Sequence, residues 1–105
     1  MTFKNPYWGT KTKIDLLSKW IIVHSIIYYE LNNNIVTDQM FDDNACQLAG
    51  LISEDRQVFG QSKWFYVMQD FNGKTGFDIY KKLHNHDKVR LIQEAQYLIR
   101  QFGTA

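Results

Sequence analysis

Cysteine occurs once in the 105 residues, at Cys46, and proline once, at Pro6. A single cysteine excludes an internal disulfide, so the fold must hold by packing and suits a reducing compartment. Charge of either sign is not in excess: 12 basic against 11 acidic residues leave a formal net charge of +1. Without a basic block, nothing in the composition calls for nucleic acid or an anionic membrane as partner. Long apolar runs are also missing. Lys19, His24 and Glu30 interrupt the most hydrophobic region, which excludes it as a membrane span, and Met1-Thr2-Phe3-Lys4-Asn5-Pro6 does not lead into the apolar core of a signal peptide. The expectation is a soluble cytoplasmic protein without a membrane partner.

Apolar and aromatic residues, by contrast, are plentiful. They make up 45% and 15% of the chain, which places it among folded domains rather than disordered ones. At this length one domain, residues 1–105, is expected, with a core of modest size. Residues 1–11, holding Pro6, Tyr7 and Trp8, read as an extended arm.

Periodicity then predicts an all-α domain. From about Thr12 to Leu31, Ile14, Leu17, Ile21, His24, Tyr28 and Leu31 recur at three and four residues, and Leu16, Trp20, Val23 and Ile27 form a second stripe beside them. Two stripes imply a central helix covered on more than one side. Asn32-Asn33-Asn34 ends it, because asparagine tolerates the left-handed conformation of a helix stop. Thr37 is placed to cap the next helix, with Asp38 favourably near its positive end. Phe41, Ala45, Leu48 and Ile52 carry that helix to about Glu54, and the short link predicts an antiparallel pair, with Cys46 and Ala49 small enough for close approach.

Beyond Glu54 the pattern weakens. Gly60-Gln61-Ser62 reads as a loop, and Trp64-Phe65-Tyr66-Val67-Met68 as an extended or short helical segment packed on the helices. Asn72-Gly73 signals a turn, residues 77–83 a short helix, and residues 87–102 a last helix facing inward through Val89, Ile92, Ala95, Ile99 and Phe102, with Leu91 and Leu98 flanking and Gly103 as its stop. Two long antiparallel helices, a C-terminal helix and aromatic-rich connections are the expected architecture. Aromatics of the irregular segments left uncovered, Trp8 and Trp64 among them, would mark a protein interface.

The functional signal gathers at one corner, His24 to Asp42. Tyr28 and Tyr29 close one helix, and Asp38 and Asp42 open the next one turn apart. An aromatic face can stack on a flat cationic ring, carboxylates can hold ribose hydroxyls, and the N–H groups of Asp38 to Met40 can meet a phosphate. The competing reading is structural: Tyr28 in the core, Asp38 capping its own helix, Asp42 solvated.

Tyr28-Tyr29 followed by Val36-Thr37-Asp38-Gln39-Met40-Phe41-Asp42 resembles the N-terminal helical subdomain of bacterial NAD-dependent DNA ligases. There a helix ending in Tyr-His is followed, after a short turn, by Ile-x-Asp-x-x-Tyr-Asp, and these residues grip the nicotinamide mononucleotide half of NAD. The resemblance covers roughly Ile14 to Leu51. It implies that Tyr28 stacks on the nicotinamide ring and that Asp38 and Asp42 correspond to the family's two aspartates. Tyr29 stands where the family has histidine and Phe41 where it has tyrosine, so two polar groups that would meet ribose or phosphate are replaced. No Lys-x-Asp-Gly nucleophile motif occurs and no adenylation domain accompanies the corner, so ligation is not expected.

The expectation from sequence is therefore a non-catalytic binding protein for a nicotinamide- or ADP-ribose-type nucleotide, with Tyr28, Tyr29, Asp38, Phe41 and Asp42 as ligand residues and His24 behind them. A lysine-, asparagine- and isoleucine-rich single domain suits a small viral protein that sequesters an NAD-derived signal against host defence. The alternative is a protein-interaction module, inhibiting a host defence or replication enzyme, in which the corner is scaffold only. No bound cofactor, catalytic set or metal set is expected. His84-Asn85-His86 sits at a helix start with only Asp87 nearby and reads as a solvated turn. Cys46 lacks an activating neighbour and reads as a buried thiol. Gly73-Lys74-Thr75 lacks the earlier glycine of a phosphate loop, and Lys81, Lys82, Lys88 and Arg90 read as a solvated basic face.

Overall fold

The computed structural model describes residues 9–71, 73 and 78–103. The arm aromatics Tyr7 and Trp8, Asn72 of the turn, Lys74-Thr75-Gly76 and Phe77 lie outside the described residues. The described residues form helices joined by turns and links, with no strand among them: α1 (Thr10–Ser25), a π-helical turn (Ile26–Glu30), α2 (Asp38–Glu54), α3 (Arg56–Gly60), α4 (Phe65–Met68), α5 (Ile79–Lys82) and α6 (Asn85–Phe102). Thr10 and Lys11 belong to the first turn of α1 rather than to an arm.

The two apolar stripes of α1 do what their width implies. Every residue from Trp20 to Ile27 is buried, and Ile14, Leu17, Ile21, Ile22 and Ile26 are wholly so. A helix that is apolar all round must be enclosed; α2, α3, α5 and α6 all pack against α1. Each such side chain contributes roughly 1.5–3 kcal/mol by leaving water, which makes α1 the axis of the fold. α2 forms the most extensive interface with it and buries Ala45, Leu48 and Ile52, as its periodicity predicts. Cys46, however, is exposed, not a buried thiol at the α1 interface. The inward face of α2 passes through Ala45 and Leu48 and leaves Cys46 outside it. Ala49 instead packs toward Gly73, where a Cβ would come within 3.1 Å of the Ala49 methyl and the backbone adopts φ 86°.

The aromatic-rich connection folds as short helices laid over the bundle. α2 stops at Glu54, where its pattern ends, and Asp55 then caps α3 by accepting from the Val58 N–H at 3.0 Å. Phe59, Trp64, Val67 and Met68 are buried, and Phe59 meets Phe65 edge-on at 5.0 Å. Burial of Trp64, 2% exposed, removes it from any interface. The 62–63 loop is tied to α1 by Asp15, whose Oδ1 accepts from Ser62 Oγ at 2.6 Å and from the Lys63 N–H at 3.1 Å.

In α6 the inward face differs from the expected one. Leu91 and Ala95 are buried, whereas Val89 and Phe102 are 59% and 69% exposed. One turn before Leu91, Asp87 is buried as well and held by the Tyr66 hydroxyl of α4, so Asp87, Leu91 and Ala95 share the inner line; Val89 lies on the opposite side, and Phe102 is the last residue of the helix. α6 also starts two residues earlier than its apolar pattern, at Asn85. Gly103 stops it in an extended conformation, where a Cβ would come within 2.6 Å of the Ile99 carbonyl oxygen.

Candidate functional site

The 31–37 link and the helix ends on either side of it build the corner. At the end of α1 the hydrogen-bond ladder widens: Leu31 N–H donates to the Ile26 carbonyl at 3.0 Å and Asn33 N–H to the Ile27 carbonyl at 2.9 Å. Single π turns of this kind occur often at functional sites, because the extra residue re-aims the side chains around it. Here it turns Tyr28 and Tyr29 outward, 52% and 40% exposed, directly after the fully buried Ile26 and Ile27. The core reading of Tyr28 is thereby excluded. Asn32 then takes φ 51°, the left-handed stop expected of the asparagine run.

The link is braced by its own side chains. Asn33 Oδ1 accepts from the Asn34 N–H at 2.8 Å, and Asn34 Oδ1 from the Val36 N–H at 3.3 Å. Thr37 caps α2, its hydroxyl accepting from the Met40 N–H at 3.0 Å. The cap is thus Thr37, not Asp38, and the Met40 N–H, one of three expected to face a phosphate, is engaged internally. Asp38 and Asp42 are both exposed at the start of α2.

Between these parts lies a cavity of about 320 Å³ lined by His24, Tyr28, Tyr29, Asp38, Phe41 and Asp42 together with Ser25, Ile27 and residues 33–37 of the link. All six residues singled out in the sequence therefore meet on one concave surface. Tyr28 and Tyr29 stand edge to face at its rim, ring centroids 4.9 Å apart at 81°. Phe41 turns toward the interior, 5.9 Å from the Trp20 ring. His24 also packs on Trp20, at 4.2 Å, and is 7% exposed; burial pushes its imidazole down to about 4, so it is neutral at physiological pH.

Sequence reasoning missed Ser25. Its hydroxyl is 2% exposed, has no hydrogen-bond partner and belongs to the cavity wall. A buried hydroxyl without a partner carries a desolvation cost, roughly 1–3 kcal/mol. Only its position after His24 on the helix hinted at the site.

A second group forms around α6. Asp87, expected in a solvated turn, is 5% exposed; the hydrogen bond from Tyr66 holds its carboxyl below the usual carboxylate range, while burial and that carboxylate push the Tyr66 hydroxyl up to about 12. The His84 ring stacks on Tyr66 at 4.0 Å and 16°, and the His84 N–H donates to the Tyr66 oxygen at 3.3 Å. His84 and His86 themselves are exposed, as a turn predicts. Lys81, Lys82 and Arg90 are solvated, Lys82 lying 3.6 Å from Asp78.

Comparison with family models, with curated protein sequences and with solved structures returns no match for this chain. No described helix is long and apolar enough to cross a membrane.

Proposed function

We propose that this protein is a non-catalytic binding module that holds a nicotinamide- or ADP-ribose-type nucleotide in the His24–Asp42 corner. The observation that carries the reading is the convergence of Tyr28, Tyr29, Asp38, Phe41, Asp42 and His24 on one cavity. In this reading Tyr28 offers its exposed face to the cationic ring, and Asp38 and Asp42 accept from ribose hydroxyls. Neutral His24 closes the back wall without adding a charge that would repel a pyridinium. A cavity of about 320 Å³ lies at the small end of the roughly 300–1,000 Å³ typical of ligand sites. That size favours one nucleotide half over an enclosed dinucleotide. The resemblance to the nicotinamide-mononucleotide subdomain of NAD-dependent DNA ligases supports the same ligand class. Without a nucleophile beside it, such a corner captures rather than converts. A small viral or mobile-element protein withdrawing an NAD-derived signal from host defence would act in this way.

Calorimetric titration with nicotinamide mononucleotide, NAD and cyclic ADP-ribose tests the reading. Saturable binding that is weakened in Tyr28→Ala and Asp38→Ala, both still folded, is the expected result; flat titrations of the parent chain across the panel overturn it.

A second reading, a protein-interaction module, is favoured by a different surface. Leu16, Met40 and Phe102, 37%, 37% and 69% exposed, line one apolar groove beside α1 and α6. If the chain works through a protein partner, Phe102→Ala should weaken capture of that partner while Asp38→Ala leaves it intact.

A further inference from the structure

The connection before α6 carries a group that the nucleotide reading does not use. The ligand atoms of His84, His86 and Asp87 all lie within 4.8 Å of one another. His86 Nε2 is 3.6 Å from Asp87 Oδ1. From these residues we infer a binding site for a divalent first-row transition ion of the zinc type, formed by two imidazoles and one carboxylate.

Three physical features favour it. Asp87 is a buried carboxylate, and a buried charge requires compensation. One of its oxygens, Oδ2, accepts from the neutral Tyr66 hydroxyl; the other, Oδ1, makes longer contacts among the described residues, to His86 at 3.6 Å and to Arg90 at 3.5 Å. Oδ1 is therefore placed to bind a cation while Oδ2 stays anchored. Tyr66 also stacks on the His84 ring and accepts from the His84 backbone N–H, so one hydroxyphenyl group anchors the carboxylate and packs against an imidazole. Hydrogen bonds to a ligating carboxylate, such as the one from Tyr66 to Asp87, orient and tune metal ligands throughout metalloproteins.

The remaining adjustment is small. Zinc–nitrogen and zinc–oxygen bonds of about 2.0–2.2 Å in a tetrahedron put ligand atoms ~3.4 Å apart. Side-chain rotation of His86, 78% exposed, covers much of the difference from 4.8 Å. Imidazole and carboxylate together suit zinc, iron, cobalt or nickel rather than calcium, which prefers an all-oxygen shell. With three protein ligands, the fourth position faces solvent and would take water. Arg90 and Lys63 are the cations near Asp87; Arg90 would be displaced outward from Oδ1 on binding.

The test uses the full chain, freed of metal with a chelator and titrated with Zn²⁺ by calorimetry and with Co²⁺ by visible absorption. One ion per chain, a tetrahedral or five-coordinate cobalt spectrum, and NMR shifts on zinc addition confined to the imidazoles of His84 and His86, with buried His24 unmoved, are expected. His86→Ala should weaken zinc roughly tenfold or more. Tyr66→Phe, which keeps all three ligands, should weaken it about 10–100-fold by releasing Asp87. If Tyr66→Phe fails to fold, His84→Ala replaces it as a second exposed ligand variant with the same tenfold expectation. Absence of saturation by either ion, shifts spread over His24 as well, or unchanged affinity in the histidine variants overturns the site, leaving Tyr66–Asp87 as a clip between helices.

Discussion

Tyr28 and Tyr29 meet edge to face, 4.9 Å apart, at the mouth of the cavity whose far side is the acidic start of α2. The relationship follows from the π turn, which swings two adjacent aromatics out of a helix whose preceding eight residues are buried. In the proposed reading this exposed ring pair receives a flat ligand without first leaving the core.

Replacing Tyr28 therefore tests the ligand and spares the fold. Cation–π attraction is worth about 0.5–2 kcal/mol, so Tyr28→Ala should weaken nucleotide binding by about 2-fold to 30-fold. Tyr28→Trp should retain it. Thermal unfolding of both variants should match the parent within a few degrees, because the side chain is half exposed.

Thr37 sets the geometry of the acidic side. Its hydroxyl is the N-cap of α2, accepting from the Met40 N–H. Thr37→Ala should cost about 1 kcal/mol, lowering the midpoint by roughly 4–8 °C in a domain of this size. Thr37→Ser should restore it. Circular dichroism melts distinguish the two.

His24 makes the protein sensitive to mild acid. The unfolded chain binds a proton at about 6.5, while burial holds the folded imidazole near 4. Between those values the unfolded state binds more protons, so stability falls as pH drops from about 6.5 toward 4 and is complete above that window. Urea titrations at pH 7 and 4.5 should show the loss in the parent chain and a smaller one in His24→Phe.

Tyr66 and Asp87 act at the two ends of the pH scale. The Asp87 carboxyl lies below its ordinary 3.8, so its contribution is present above that value and is lost as pH falls through the lowered one. The Tyr66 hydroxyl is raised to about 12 from 10.0; its contribution is intact below 10 and is lost as pH rises through about 12. Tyr66→Phe leaves a buried carboxylate short of a donor, at a cost of roughly 1–3 kcal/mol near neutral pH. Urea unfolding of that variant measures the cost, and its dependence on pH below 4 should flatten.

Local features were legible from residue type and spacing. Thr37 as cap, Asn32 as left-handed stop and the Ala45, Leu48, Ile52 face of α2 each depend on neighbours within about one turn, so sequence contains all the physics that decides them. The same holds for grouping Tyr28, Asp38 and Asp42 at one corner, since a short link between packed helices leaves their ends nowhere else to meet. The π turn was not legible, because a single extra residue in a hydrogen-bond ladder has no distinct pattern of side chains.

Composition and periodicity by themselves determined an all-α chain around one enclosed helix, with a capped turn bringing aromatics and carboxylates together. Tertiary structure alone decided which side chains faced inward where two stripes competed. In α6 a buried Asp87, invisible as such in a charged helix start, is held by a hydroxyl on another helix, 21 positions earlier, on the same line as the buried Leu91 and Ala95. Asp15, reaching the loop at Ser62, works the same way. Long-range hydrogen bonds to carboxylates depend on which surfaces meet, and nothing in the local periodicity encodes that.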